Sequence, residues 1–318
     1  MSEVQLEADS SQETDSGASP RMKELEESSG GAGRSGERRP TGDQLREIER
    51  RARQRVAETV ETAEHSGWFG TWMLFKKELA RFWNVAGQTI ISPVVTTLLY
   101  FLVFGYSLKD RLQEIQGVPY VDFLVPGLVM LTLINNSFIN SAFSFFITKI
   151  HGIIVDILVT PLSPVELTVG YTAASIVRGL IVGGMIWAIA AVMGAGTVHS
   201  PLVTIGFMVA TALAFSSLGL MIAIVSEDFD HINLLPNFLI TPLTFLGGVF
   251  YSIEMLPAPW DTVSRFNPIL YVVNGIRWGM VGYSDVPLWQ GFAVVGTMCV
   301  AFTAGAIALL ASGKKIRE

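Results

Sequence analysis

GLIVGGMIWAIAAVMGAGTVHSPLVTIGFMVATALAFSSLGLMIAIVS, residues 179–226, runs for 48 residues without Asp, Glu, Lys or Arg. A helix rises 1.5 Å per residue, so about 20 apolar residues cross the roughly 30 Å hydrocarbon core of a bilayer. The run is long enough for two crossings, and MGAGTVHSP (193–201) breaks it in the middle. Two spans follow, at 167–193 and 201–225, and the first carries Arg178.

Four more charge-free runs lie on either side, at 82–108, 123–148, 232–253 and 286–313. They place span one at 88–106, span two at 123–148, span five at 232–253 and span six at 286–313. The expectation is an all-α polytopic membrane protein with six transmembrane helices. Composition agrees: 50% of residues are hydrophobic, 16% are charged and the mean hydropathy is +0.45. A soluble domain averages roughly 25% charged residues.

Residues 1–66 hold 15 acidic and 10 basic side chains, so most of the net charge of −6 belongs to this tail. With few large apolar residues in 1–43, the tail reads as disordered, turning partly helical over 44–64. The remaining 67–318 form the membrane domain. No concentrated basic patch suggests nucleic-acid binding. The lone cysteine, Cys299, excludes an intrachain disulfide, and no apolar stretch in 1–66 reads as a signal peptide.

Between tail and spans lies WFGTWMLFKKELARFW (68–83). Trp68, Trp72, Phe75, Leu79 and Phe82 recur at helical steps, with Lys76, Lys77 and Arg81 off that face. This pattern predicts a helix in the membrane interface. With a cytoplasmic N-terminus, seven Lys and Arg flank the spans inside (Lys76, Lys77, Arg81, Lys149, Lys314, Lys315, Arg317). Four flank them outside (Lys109, Arg111, Arg265, Arg277), and six spans then return the C-terminus to the cytoplasm.

No P-loop, HExxH, GxSxG or Cys/His ligand spacing occurs, so catalytic groups in this chain are unsupported. Arg178 is the one ionisable residue deep in a span, with Asp156 or Glu166 as candidate partners. Span two is unusually polar. Its Asn136 and Asn140 lie four apart on one face, suited either to bonding between helices or to lining a substrate path.

Three stretches carry a resemblance: FLVPGLVMLTLINNSF (123–138), IVDILVTPLSPVELTVGYTAASIVRGL (154–180) and LITPLTFLGGVFYSIEMLPAPWDTVSRFNPILYVVNGIRWGM (239–280). Together they closely resemble the ABC-2 type transporter permeases, the membrane subunits of bacterial ATP-binding-cassette exporters. The likeness covers about 68–318. It implies a separate ABC ATPase subunit that binds ATP and Mg, no cofactor on this chain, and a homodimer of permease copies in complex with two ATPases. It implies localisation in the cytoplasmic (inner) membrane among lipids. It also implies a coupling segment at 149–166, where Lys149, His151, Ile153, Asp156, Ile157 and Glu166 are the candidate ATPase contacts. Between spans five and six it implies outer re-entrant helices. There Gly247 and Gly248 permit close approach, Pro257 and Pro259 stop the helix, and Asn267-Pro268 starts the return. The expected function is outward movement of an amphipathic, drug-like, glycan or lipid-linked substrate. A membrane assembly factor using the same ATPase and a secondary carrier are the alternatives. Stimulated ATP hydrolysis would favour the exporter, and ion-gradient dependence the carrier.

Overall fold

The computed structural model describes residues 67–84, 86–106, 114–153 and 162–313. The expected tail, 1–66, lies outside them, as do Asp156, Ile157, Lys109, Arg111, Lys314, Lys315 and Arg317. Helices α1 (Gly67–Asn84) and α2 (Ala86–Tyr100) come first, and α2 continues into a π-helical turn, Phe101–Tyr106. A short antiparallel hairpin, β1 (Glu114–Ile115) with β2 (Val118–Pro119), leads into α3 (Tyr120–Ile150). Next come α4 (Pro164–Val192) and α5 (Pro201–Val225). Helix α6 (Phe229–Leu235), a π-helical turn (Pro236–Ile240) and α7 (Thr241–Leu246) follow without a gap. The last described helices are α8 (Trp260–Arg265), α9 (Pro268–Val281) and α10 (Leu288–Ser312).

Among the described residues, α3, α4, α5 and α10 are each long and apolar enough to cross a bilayer. They coincide with expected spans two, three, four and six. Expected span one falls on α2 and its π-turn, and span five on α6 and α7; both are interrupted helices. Pro93 lies inside α2, and Pro236 opens the π-turn between α6 and α7. Proline lacks the N–H and crowds the preceding turn, so the regular ladder gives way. By length and composition the count is therefore four. It becomes five if Trp68–Asn84 and Thr89–Gly105, bent by 62°, make one broken span.

Helix α3 is the centre of the bundle, buried along nearly its whole length and packed by α4, α5 and α9. Helices α5 and α10 run parallel. Phe207 meets Phe292 at 4.8 Å, the Cys299 thiol donates to the Ala210 carbonyl, and Ser217 bonds Thr303. The α6–α7 segment runs back along α3, from Phe229 against Phe146 to Val249 against Gly127. A Cβ at Gly127 would lie 2.6 Å from the Val249 carbonyl oxygen, so only glycine admits this approach.

The expected break at 245–260 is present, but Pro257 and Pro259 do not cause it. Helix α7 already ends at Leu246, and Gly248 turns the chain with φ of +76°, a conformation that glycine adopts without strain. The two prolines instead precede α8. Asn267 caps α9 through the Ile269 N–H, with Pro268 at the first helical position, and its amide donates to the Leu243 carbonyl. So the α8–α9 turn lies beside α7, while the far end of α9 accepts hydrogen bonds from His199 and Ser200 just before α5.

Arg277 is not a flanking charge. It is fully buried on α9, 3.4 Å from Asp285, over the Phe123 ring at 3.8 Å, and donates to the Gly248 carbonyl at 2.5 Å. Asp285 also accepts from Ser252 and from the Tyr283 hydroxyl at 2.8 Å. Burial first, and the Asp285 contact second, push the Tyr283 phenol up to about 12. It therefore keeps its donor proton at neutral pH, and its contribution to stability is full below pH 10 and lost as pH rises toward 12.

Removing one partner of a buried pair strands the other charge, at a typical cost of about 3–5 kcal/mol. Asp285→Ala should accordingly lower thermal stability in detergent sharply. Arg277→Met in the same chain should recover much of the loss, because no charge is then left unpaired.

Candidate functional site

Polar side chains of α3 recur every four residues: Thr132, Asn136, Asn140, Ser144 and Thr148. Each four-residue step on a 3.6-residue helix turns about 40°, so the stripe winds roughly 160° around α3. Its members therefore face different helices. Thr132 bonds Thr97 of α2 at 3.1 Å. Asn140 donates to Ser175 of α4 at 2.9 Å and accepts from Arg178 at 2.6 Å. Ser144 bonds the Glu78 carboxylate of α1, and Thr148 accepts from Tyr171.

Among the described residues, Asn136 alone in the stripe makes no bond to another helix. Its amide donates to the Thr132 carbonyl of its own helix, and it lines a cleft of about 670 Å³ between α2, α3, α4 and α7. Thr89, Ser92, Thr96, Thr97, Thr132, Asn135, Arg178 and Thr241 supply further polar groups there. Pro93, Tyr100, Leu131, Ile139 and Phe245 supply apolar surface. Asn136 thus lines the cleft, whereas Asn140 bridges helices.

Arg178 stands midway along α4, with its guanidinium 5.4 Å from the Phe82 ring. Glu166 does not reach it. The Ser163 N–H donates to the Glu166 carboxylate at 2.7 Å while the Ser163 hydroxyl accepts from the Glu166 N–H, a capping box that starts α4.

The remaining coupling candidates gather where α3 ends. Lys149 donates to the Ile224 and Ser226 carbonyls, 2.9 Å each, closing the C-terminus of α5. His151 bonds the Ile147 carbonyl through Nδ1, and Ile153 is exposed beside it. In the segment between α7 and α9, Gly247, Gly248 and Asn267 are buried, whereas Pro257 and Pro259 are exposed. Among the described residues, no three His, Cys, Asp or Glu side chains are grouped to hold a metal ion.

Sequence reasoning passed over Glu78. It lies in phase with Thr71, Leu74 and Phe82, which form the buried face of α1, while Trp68 and Trp72 remain exposed. A carboxylate on that face was the available signal. Glu78 is 4% exposed and pairs with Arg81 at 3.0 Å.

Residues 70–281, two thirds of the chain, match the ABC-2 type transporter family. The chain belongs to that family. It is 38% identical over 254 residues to the inner membrane transport permease YadH of Escherichia coli K12, covering 80% of this chain and 99% of that protein. It is 24% identical over 235 residues to nodulation protein J of Rhizobium leguminosarum bv. trifolii, covering 73% of this chain and 87% of that one. Nodulation protein J of Rhizobium meliloti is also 24% identical, over 233 residues. ABC-2 permeases are non-enzymatic membrane subunits that pair with an ABC ATPase, and several apolar helices here suit an inner membrane protein. The ABC-2 match spans α1 to α9 and so includes every helix that lines the cleft.

Burying a carboxylate is costly unless its hydrogen bonds are made. Glu78→Ala should release α1 from α3 and leave Arg81 unpaired, a loss of about 1–3 kcal/mol. Faster proteolysis within α1 at unchanged membrane insertion is the expected readout, with Glu78→Gln intermediate.

Proposed function

We propose that the chain is the permease half of an ABC exporter, moving an amphipathic, drug-like, glycan or lipid-linked molecule outward on ATP hydrolysed by a partner subunit. The observation that carries the reading is the cleft of about 670 Å³, polar on α2 and α3, halfway along helices otherwise built for lipid. Part of that polar surface bridges helices, but Asn135 and Asn136 bond only their own backbone among the described residues, which suits a passing solute.

Six crossings make the topology. Parallel helices α5 and α10 require an odd number of crossings between them. The α6–α7 segment supplies one, and α8 with α9 enter and leave on one side as re-entrant helices. With α2 as the first crossing both termini are cytoplasmic. The exposed tryptophans of α1 then meet the inner interface, and 149–166 meets the ATPase. One chain supplies one wall of the pathway, so two copies with two ATPases form the complex.

Mass measurement of the complex in nanodiscs, with the ATPase present, should give two copies of this chain. A single copy overturns the proposed assembly. Asp156→Arg should keep the dimer and lose most substrate-stimulated ATP hydrolysis, because disrupting a desolvated charged contact costs about 2–5 kcal/mol. Unchanged stimulation removes Asp156 from the coupling surface. Deleting 1–66 should leave insertion and ATPase pairing intact.

A further inference from the structure

We propose that Arg178 forms an anion-binding subsite of the cleft, so that the molecule taken there is an amphipath with a phosphate or carboxylate head. This deepens the export reading and rests on the cleft being the substrate path.

Fully buried Arg277 and half-buried Arg178 make the contrast. Arg277 has a counter-charge, Asp285, is fully buried and does not line the cleft. Arg178 lines the cleft, and among the described residues no carboxylate pairs with it. Its hydrogen-bond partner is the neutral Asn140 amide oxygen and its ring neighbour is Phe82; its Nε, like that of Arg277, is buried with no acceptor among the described residues. The nearby acid, Glu78, is occupied by Arg81 and Ser144. Arg81 itself adds positive potential at Arg178 instead of cancelling it.

A cation halfway across a bilayer is expensive unless something of opposite sign meets it. A guanidinium fork matches the oxygens of phosphate and carboxylate, and such bonds are stronger than neutral ones. Asn135 and Asn136 sit on the same wall, each with a second amide N–H to bond a polar head. Leu131, Ile139 and Phe245 offer the apolar surface for a chain attached to it. Charge, hydrogen-bonding groups and apolar wall therefore converge on one ligand class.

The test is equilibrium binding of radiolabelled dodecyl phosphate, laurate and dodecanol to the full-length permease in phosphatidylcholine nanodiscs, with empty nanodiscs subtracted. Both acids should bind about tenfold tighter than dodecanol, the fold-change of one charge-assisted hydrogen bond. Arg178→Gln should reduce them to the dodecanol level. Asn140→Asp keeps the arginine and neutralises it in place, so it should erase the preference even if Arg178→Gln fails to fold. Inorganic phosphate should displace dodecyl phosphate only at far higher concentration. Equal affinity for inorganic and dodecyl phosphate would overturn the amphipath. Equal binding of dodecanol and the acids, or an acid preference surviving in Asn140→Asp, would overturn the subsite. Transport by the complex with its ATPase separates the two readings. Acid-selective binding without nucleotide-driven movement removes export and leaves the subsite, whereas movement driven equally by dodecanol and the acids removes the subsite and leaves export.

Discussion

A helix that stops inside an apolar assembly leaves its last carbonyls without partners, and lipid offers none. Helix α7 stops in this way, and its surroundings are arranged around that fact. The Asn267 amide covers the Leu243 carbonyl, Arg277 covers that of Gly248, and the Tyr120 hydroxyl covers that of Phe250. These donors come from the cap of α9, the middle of α9 and the start of α3. The three elements are consequently placed together. Using an arginine as one donor brings a charge inside, which in turn requires Asp285, and Asp285 draws in Ser252 and Tyr283. One broken ladder thus accounts for a whole polar cluster in a bundle otherwise assembled by close apolar packing.

The bundle's helices were legible in sequence because hydropathy is a local property. Charge-free runs located α3, α4, α5 and α10, and glycine with proline located the break. What stayed hidden depends on partners distant in the chain. Arg277 was counted as a flanking charge because orientation rules sort lysines and arginines by position alone, and nothing local announces an aspartate eight residues on as its buried partner. Pro257 and Pro259 were credited with ending a helix that Gly247 and Gly248 had already ended. Asn136 and Asn140 were recognised as a pair, yet their division of labour follows from which helix lies opposite each, a fact of packing. Glu78 escaped notice because acids on a basic, amphipathic segment are ordinarily assigned to solvent.

The polar stripe of α3 shows how one helix can serve several neighbours. A four-residue repeat drifts around the axis, so identical chemistry is presented in turn to α2, the cleft, α4 and α1. Hydroxyls and amides suit this task. Such a group can satisfy itself on its own backbone, as Thr132, Asn136 and Thr148 do, while keeping a second valence free, or donate outright to another helix, as Asn140 and Ser144 do. At Asn136, which lines the cleft, no other helix among the described residues takes up that second valence.

The pairing of α5 with α10 carries a consequence for biogenesis. Ser217 and Thr303 lie 86 residues apart, and Ala210 and Cys299 lie 89 apart. Contacts across such distances are slow to form, because a long loop must close before they contribute anything. Synthesis runs from the N-terminus, so α5 is in place well before α10 exists, and Ser217 and the Phe207 ring spend that interval without their partners. The groove on α5 is thus an open seat during translation, and the arrival of α10 is the event that ends the chain's exposure to misassembly.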